Sequence, residues 1–260
     1  MKNDFNSLNL KIKRYDSKLI NKEINYLKYL KNVYKILQKF YANEYIYKNE
    51  FLNKWLIKEL GTSNSLIYNE FRLGKAIADL VMFNGCSRVF EIKTLLDKES
   101  RLNSQLYEYK KIFNEVYLIV PLSQIDKYRL YDESVGIISY DQEKSIFNLV
   151  RNSIKNINID SGSIMEILHT KEYKNIVDQY YGEIPVCNDF EQYNICKKLI
   201  AKIPVEDLNR LFIKAMKSRK INNDLSNKKN KEFNQIFLSL NLNEMQKVKL
   251  FNNLNSIISY

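Results

Sequence analysis

The sequence predicts an α/β protein, with a mixed β-sheet core flanked by helices and helical extensions before and after it. Three observations carry that expectation. Short apolar runs bounded by turn residues occupy the stretch from Leu66 to Tyr140, and two of them are joined by Asn84-Gly85, the strongest short-range hairpin signal in a sequence. After Lys93 the apolar period alternates between strand-like and helix-like, which implies parallel crossovers. Before residue 60 and after residue 160 the spacing is helical. The expected organisation is an N-terminal helical extension over 1–47, a core over 48–150 and a helical region over 151–260. A composition that is 45% hydrophobic and 13% aromatic can bury such a core.

Taken in order, Ile20, Ile24, Leu27, Leu30, Tyr34, Leu37 and Tyr41 form an apolar stripe with steps of three and four. The stripe predicts a helix over 17–41 with Asp16 or Ser17 as N-cap. A second helix over 49–60 is expected to stop at Gly61, with "TSNS" as the following loop. "LIYNEFRL" reads as a strand ending near Gly74, and the hairpin strands as 76–83 and 87–94. Leu102, Leu106, Tyr109 and Phe113 predict a helix over 100–113, and "EVYLIVP" is a short strand closed by Pro121. "LSQIDKYRLYDE" reads as a helix and "VGIISY" as a strand. The helical remainder is broken at "YGEIPVCND", at Pro204 and at "SRKINNDLSNKKNKEF", and Asn243 with Gln246 is a capping box for the last helix. No internal repeat is present.

The net charge of +11 is unevenly placed. Residues 1–60 carry a net +7, residues 61–150 a net −1 and residues 151–260 a net +5. An AT-rich coding bias would raise lysine throughout and would not spare the middle third. Basic flanks around a near-neutral centre suit a protein that grips a polyanion and offers it carboxylates. The expected phosphate contacts are the basic residues of 1–60 and 197–231, including Lys217, Arg219, Lys220, Lys228, Lys229 and Lys231. Three cysteines without CxxC spacing predict a reducing, cytoplasmic setting. No run of apolar residues is long enough for a membrane span, and the N-terminus lacks a signal-like apolar segment. One histidine, His169, excludes two-histidine metal motifs and reads as an ordinary helix-end residue. No glycine-rich phosphate loop is present.

The chemistry concentrates on the hairpin. Glu-x-Lys occurs three times, but only Glu91-Ile92-Lys93 lies on a strand paired with one that carries an aspartate. Strand side chains alternate, so Glu91 and Lys93 share a face. A two-residue loop would place Asp79 and Glu91 on opposite faces. A three-residue loop, Asn84-Gly85-Cys86, sets Asp79 opposite Glu91. Two carboxylates so placed repel unless a cation lies between them, and a hard divalent ion such as Mg²⁺ takes oxygen ligands of this kind. The alternative, a solvated strand face with a Glu–Lys pair, leaves unexplained why both carboxylates sit among apolar residues.

Asp79, eleven intervening residues, Glu91-Ile92-Lys93 and the following Gln105-x-x-x-Tyr109 resemble the PD-(D/E)XK phosphodiesterase superfamily. The Gln-x-x-x-Tyr element is similar to its RecB-like branch. "NEFRLGKAIADLVMFNG" and "FEIKTLLDKESRLNSQLYEYKKIFNEVYLIV" resemble a small, uncharacterised bacterial group within it. The match covers about residues 50–140, and it departs from the pattern where Ala78 replaces the proline before the aspartate. The resemblance implies a restriction-endonuclease-like core that hydrolyses nucleic-acid phosphodiesters with Mg²⁺, for which Mn²⁺ would substitute. It implies that Asp79 and Glu91 bind metal with the Ile92 carbonyl, and that Lys93 positions the attacking water or steadies charge on the phosphate. It also implies that Gln105 orients the site and that Glu70 is the acidic residue before the motif; the alternative for Glu70 is a surface charge. Tyr109, on the apolar stripe of its helix, reads as core packing. The expected function is a metal-dependent nuclease, with DNA favoured over RNA. The alternatives are a non-catalytic nucleic-acid-binding or defence module of the same fold and an interaction protein whose C-terminal helices hold a partner.

Overall fold

Six strands hydrogen-bonded in sequence order, β1 to β6, carry the fold. The computed structural model describes residues 5–19, 23–60, 65–222, 225 and 228–258. Helices α1 (Phe5–Tyr15), α2 (Tyr26–Phe40), α3 (Glu44–Phe51) and α4 (Ile57–Leu60) precede the sheet, with a π-helical turn over Leu52–Leu56 joining α3 to α4. The strands are β1 (Leu66–Leu73), β2 (Ala76–Phe83), β3 (Ser87–Ile92), β4 (Glu115–Pro121), β5 (Gly136–Asp141) and β6 (Ile146–Arg151). Helix α5 (Leu102–Lys110) connects β3 to β4, and the short α6 (Ile125–Arg129) connects β4 to β5. Helices α7 (Ser161–Ile167), α8 (Thr170–Tyr181), α9 (Asp189–Ile200), α10 (Val205–Lys217), α11 (Asn234–Ser239) and α12 (Glu244–Leu254) follow.

β3, β4 and β5 are parallel and the other neighbours antiparallel, so the expected mixed sheet flanked by helices is present. Each face of the sheet supports its own apolar layer. Val81, Phe83, Val89, Leu118 and Val120 face α5 and the helices α7 to α10, with Phe212 and Met216 of α10 packed among them. Leu80, Met82, Phe90, Ile119 and Ile138 face the other way, onto α1 to α4, α11 and α12. The chain before the sheet and its last two helices thus cover one face, and the helices between cover the other. No helix among the described residues is long and apolar enough to cross a membrane.

Four elements differ from the sequence expectation. The helix expected over 17–41 begins at Tyr26, because the Asn25 side chain accepts the Lys28 N–H at 2.8 Å and caps it there. The separate α1, whose sequence is mostly polar, was not anticipated. The helix expected from 49 begins at Glu44, where Asn43 accepts the Ile46 N–H at 3.1 Å. Strand β6 was also not anticipated: it is an edge strand with little buried surface, so its sequence lacks the alternation of a half-buried strand. Gly61 and residues 62–64 of the expected loop lie outside the described residues. The Asn243 capping box is formed in both directions, and His169 is the N-cap residue of α8.

Candidate active site at the β2–β3 hairpin

The three-residue loop forms as the hairpin argument requires. Phe83 pairs with Ser87, and the Asn84 N–H reaches back to the Cys86 carbonyl at 3.1 Å. Continuing the register beyond Leu80 and Phe90 sets Asp79 opposite Glu91. The strands are irregular at that level. Ala76 and Ala78 turn to the same layer as Val81 and Phe83, so the alternation along β2 slips by one residue at Asp79. β1 makes the matching slip at Glu70, whose backbone has φ +53°, and no ladder pair joins these two residues. Because the slips cancel, the register is the same on either side, and the defect is confined to the two acidic residues. It lets the Asp79 side chain take the place of a backbone acceptor, with its Oδ2 accepting the Ile92 N–H at 2.7 Å. In an extended strand the N–H and C=O of one residue leave from the same edge, so the Ile92 carbonyl turns toward Asp79 as well.

Glu91 is 3% exposed and accepts from three donors. Lys93 Nζ lies 2.8 Å and Gln105 Nε2 2.9 Å from its Oε1, and the Tyr109 hydroxyl lies 2.6 Å from its Oε2. Gln105 Oε1 also accepts from Lys93 at 3.3 Å, closing a ring of three polar groups around one carboxylate oxygen. Gln105 and Tyr109 are four residues apart on α5, so both point from one helix face. The buried Leu102 and Leu106 seat that helix on the sheet. Tyr109 therefore does more than the core packing expected of it. Burial and the nearby Glu91 charge push its hydroxyl pKa far above the ordinary value and keep it a hydrogen-bond donor.

Asp79 is held from α3. Lys48 Nζ lies 2.9 Å from Asp79 Oδ1, 2.6 Å from Glu44 Oε1 and 4.0 Å from Glu70 Oε1. Burial and the charge of Glu91 raise the Asp79 pKa, Lys48 and the Ile92 N–H oppose them, and the carboxyl settles at about 6. Lys48 stays an ammonium: its carboxylate partners outweigh its burial and lift its pKa above the ordinary value. Sequence reasoning missed Lys48. The trace it leaves is Lys48-Asn49-Glu50, three consecutive polar residues that are all buried, and helical periodicity alone does not reveal such a run.

The structure thus gathers Asp79, Glu91, Lys93, Gln105 and the Ile92 backbone at one place, with Glu70 at its exposed rim. No group of three or more His, Cys, Asp or Glu able to hold a metal is present among the described residues. Two carboxylates and one carbonyl are nevertheless an all-oxygen donor set. Mg²⁺ is commonly held by one or two carboxylates with several waters retained, so these residues fit such an ion.

The basic residues expected to contact phosphate lie on other elements, at the end of α10 and on the turn before α11. Lys220 is exposed and Lys217 half-buried at the end of α10. Arg219 is committed elsewhere, with Nε and Nη2 each 2.7 Å from the Glu172 carboxylate and Nη2 2.9 Å from the Ile167 carbonyl. Lys229 and Lys231 are exposed on the turn Lys228–Phe233. The Lys231 carbonyl accepts from Asn49 and Asn53, which ties this turn to the helical segment bearing Lys48. The Lys228 side chain lies outside the described residues.

Comparison with known proteins finds a phage protein similar to this chain. Protein cII of Enterobacteria phage P4 is 24% identical over 173 residues, which cover 65% of this chain and 64% of that protein. The chain therefore spans just under two thirds of that relative's length. A solved structure of a protein of unknown function from Silicibacter pomeroyi aligns with 54% of this chain and 93% of its own, at 11% identity and a TM-score of 0.35. The family model described as bacteriophage P4 protein cII matches residues 37–241, a span that holds the hairpin, α3 with Lys48, α5 and the helices up to α11. By that match over most of its length, the chain belongs to the bacteriophage P4 protein cII family.

Proposed function

We propose that this protein is a divalent-metal-dependent nuclease with a restriction-endonuclease-like, PD-(D/E)XK-type core, acting on DNA. The observation that carries the reading is the meeting of Asp79 and the Glu91–Lys93–Gln105 ring where α5 crosses the β2–β3 hairpin. Asp79, Glu91 and the Ile92 carbonyl would hold Mg²⁺ or Mn²⁺, which when bound polarises a phosphoryl oxygen and lowers the pKa of water. Lys93, fixed by Glu91 and Gln105, orients the attacking water and offsets negative charge growing on the phosphate. Gln105 keeps both side chains in register. Tyr109 holds the far oxygen of Glu91, so that the carboxylate cannot rotate away.

A second reading, a nucleic-acid-binding module without catalysis, is favoured by one observation. Lys48 and Lys93 already give each carboxylate an ammonium partner. Digestion of plasmid, single-stranded DNA and RNA in Mg²⁺, in Mn²⁺ and in EDTA separates the two. Cleavage is expected with either metal and none with EDTA, while Asp79→Asn and Glu91→Gln bind nucleic acid without cutting it. Wild type that binds and cuts nothing gives the second reading the lead. Full-rate cleavage by Asp79→Asn puts the active site elsewhere.

A further inference from the structure

Lys48 has no task in the reaction just outlined, yet its side chain is 5% exposed and sits on a proposed metal ligand. Its Nζ occupies Asp79 Oδ1 at 2.9 Å while the Ile92 N–H occupies Oδ2 at 2.7 Å, so both oxygens are engaged. A divalent ion needs one of those oxygens, and an ammonium within hydrogen-bond reach of the same oxygen repels it. The lysine has somewhere else to go. Glu44 is already 2.6 Å from Nζ and Glu70 4.0 Å, and their side chains are 57% and 65% exposed. Four methylenes and three rotatable donors let Lys48 turn between these carboxylates without moving α3.

We propose that Lys48 is a tethered counter-ion that holds Asp79 until a divalent cation displaces it, whereupon Lys48 passes to Glu44 and Glu70. The proposal rests on the metal-dependent reading of the site. It makes Lys48 a determinant of metal affinity, because the apparent affinity falls by the fraction of molecules in which Asp79 is free. If Lys48 holds Asp79 about nine-tenths of the time, removing it tightens binding about tenfold. A lysine acting only through space would also weaken cation binding, and salt screens so buried a charge little. The exchange is distinguished by its receiving carboxylate, because Glu44→Gln then weakens binding only while Lys48 is present.

The test is titration with Mn²⁺ alone, read by calorimetry and by water-proton relaxation. Wild type, Lys48→Met, Glu44→Gln, the combination of those two changes, and Asp79→Asn are compared. Lys48→Met is expected to bind about tenfold more tightly than wild type. Glu44→Gln, altered at an exposed residue, is expected to bind more weakly, because the displaced lysine has lost its nearest receiving carboxylate. Asp79→Asn is expected to lose binding. Equal or weaker binding by Lys48→Met, with Asp79→Asn still defective, overturns the exchange and leaves the metal site standing. Glu44→Gln that weakens binding by the same factor when combined with Lys48→Met also overturns it. Should Lys48→Met not fold, Glu44→Gln decides alone, and an unchanged affinity there is fatal to the proposal. Absence of Mn²⁺ binding in wild type and Lys48→Met removes the metal site itself and the exchange with it.

Discussion

Asp79 shows how one residue can be settled by opposed forces. Burial and the Glu91 charge favour its neutral form, Lys48 and the Ile92 N–H favour its anion, and the balance leaves its pKa at about 6 against an ordinary 3.8. A carboxyl whose pKa is raised on folding contributes stability that is present below the unfolded value and is lost as pH rises through the folded one. In metal-free buffer, the stability of wild type relative to Asp79→Asn is therefore expected to decline from pH 3.8 to about 6 and to level off above. Urea midpoints for the two proteins across that window measure it, and a difference that is flat or rises with pH contradicts the balance described. Glu91 was legible from sequence because it stands between Phe90 and Ile92 on a strand. Lys48 was not, because its partner Asp79 lies far away in the chain and only the packing of α3 on the sheet brings them together.

At the scale of elements, local chemistry made the hairpin readable. Asn84-Gly85 marked the hairpin, but turn chemistry alone left a two-residue loop open. The three-residue loop with its Phe83–Ser87 pair was expected only if Asp79 was to face Glu91, and that is the loop that forms. The matched slip at Glu70 and Asp79 was not legible, since it depends on two strands yielding together. The parallel strands show a different constraint. Gly136 opens β5 beside Tyr117 of β4, and a Cβ there would lie 2.3 Å from the Tyr117 ring and 2.7 Å from the Ser153 nitrogen. Gly136→Ala must therefore displace both the ring and the backbone. It is expected to cost about 1–3 kcal/mol, typical of overpacking, in urea melts. A loss below about 0.5 kcal/mol, the usual range of a harmless surface change, shows that β4 and β5 accommodate a methyl group there.

Over the whole molecule, the sheet separates two helical layers, and the carboxylate pair lies between them, reached by α5 from one side and α3 from the other. The net positive charge belongs to those layers and not to the central segment. Nucleic-acid affinity is expected to fall linearly on a log–log plot against salt, by about 0.9 for each phosphate neutralised on duplex DNA. Lys220→Ala and Lys231→Ala should each lower that slope by about 1. Arg219→Ala should leave the slope unchanged, because its guanidinium is spent on Glu172 and Ile167. Affinity that is indifferent to salt removes the basis for reading the charge as a phosphate-binding surface.

The sequence alone determined the α/β alternation, the position of the hairpin, the helix bearing Gln105 and Tyr109, and the helical character of both flanks. Each of these is a local property, set by turn chemistry or by apolar spacing within a dozen residues. The tertiary structure decided what those elements meet. It divided the C-terminal flank between the faces of the sheet, with α11 and α12 beside the N-terminal helices and α7 to α10 opposite, and spent Arg219 on Glu172. It also turned Tyr109 from packing into a donor for Glu91 and brought Lys48 onto Asp79. Such pairings join residues distant in the chain, and no spacing rule encodes them. They exist only because burying both apolar layers leaves the few polar groups trapped between them no partners except one another.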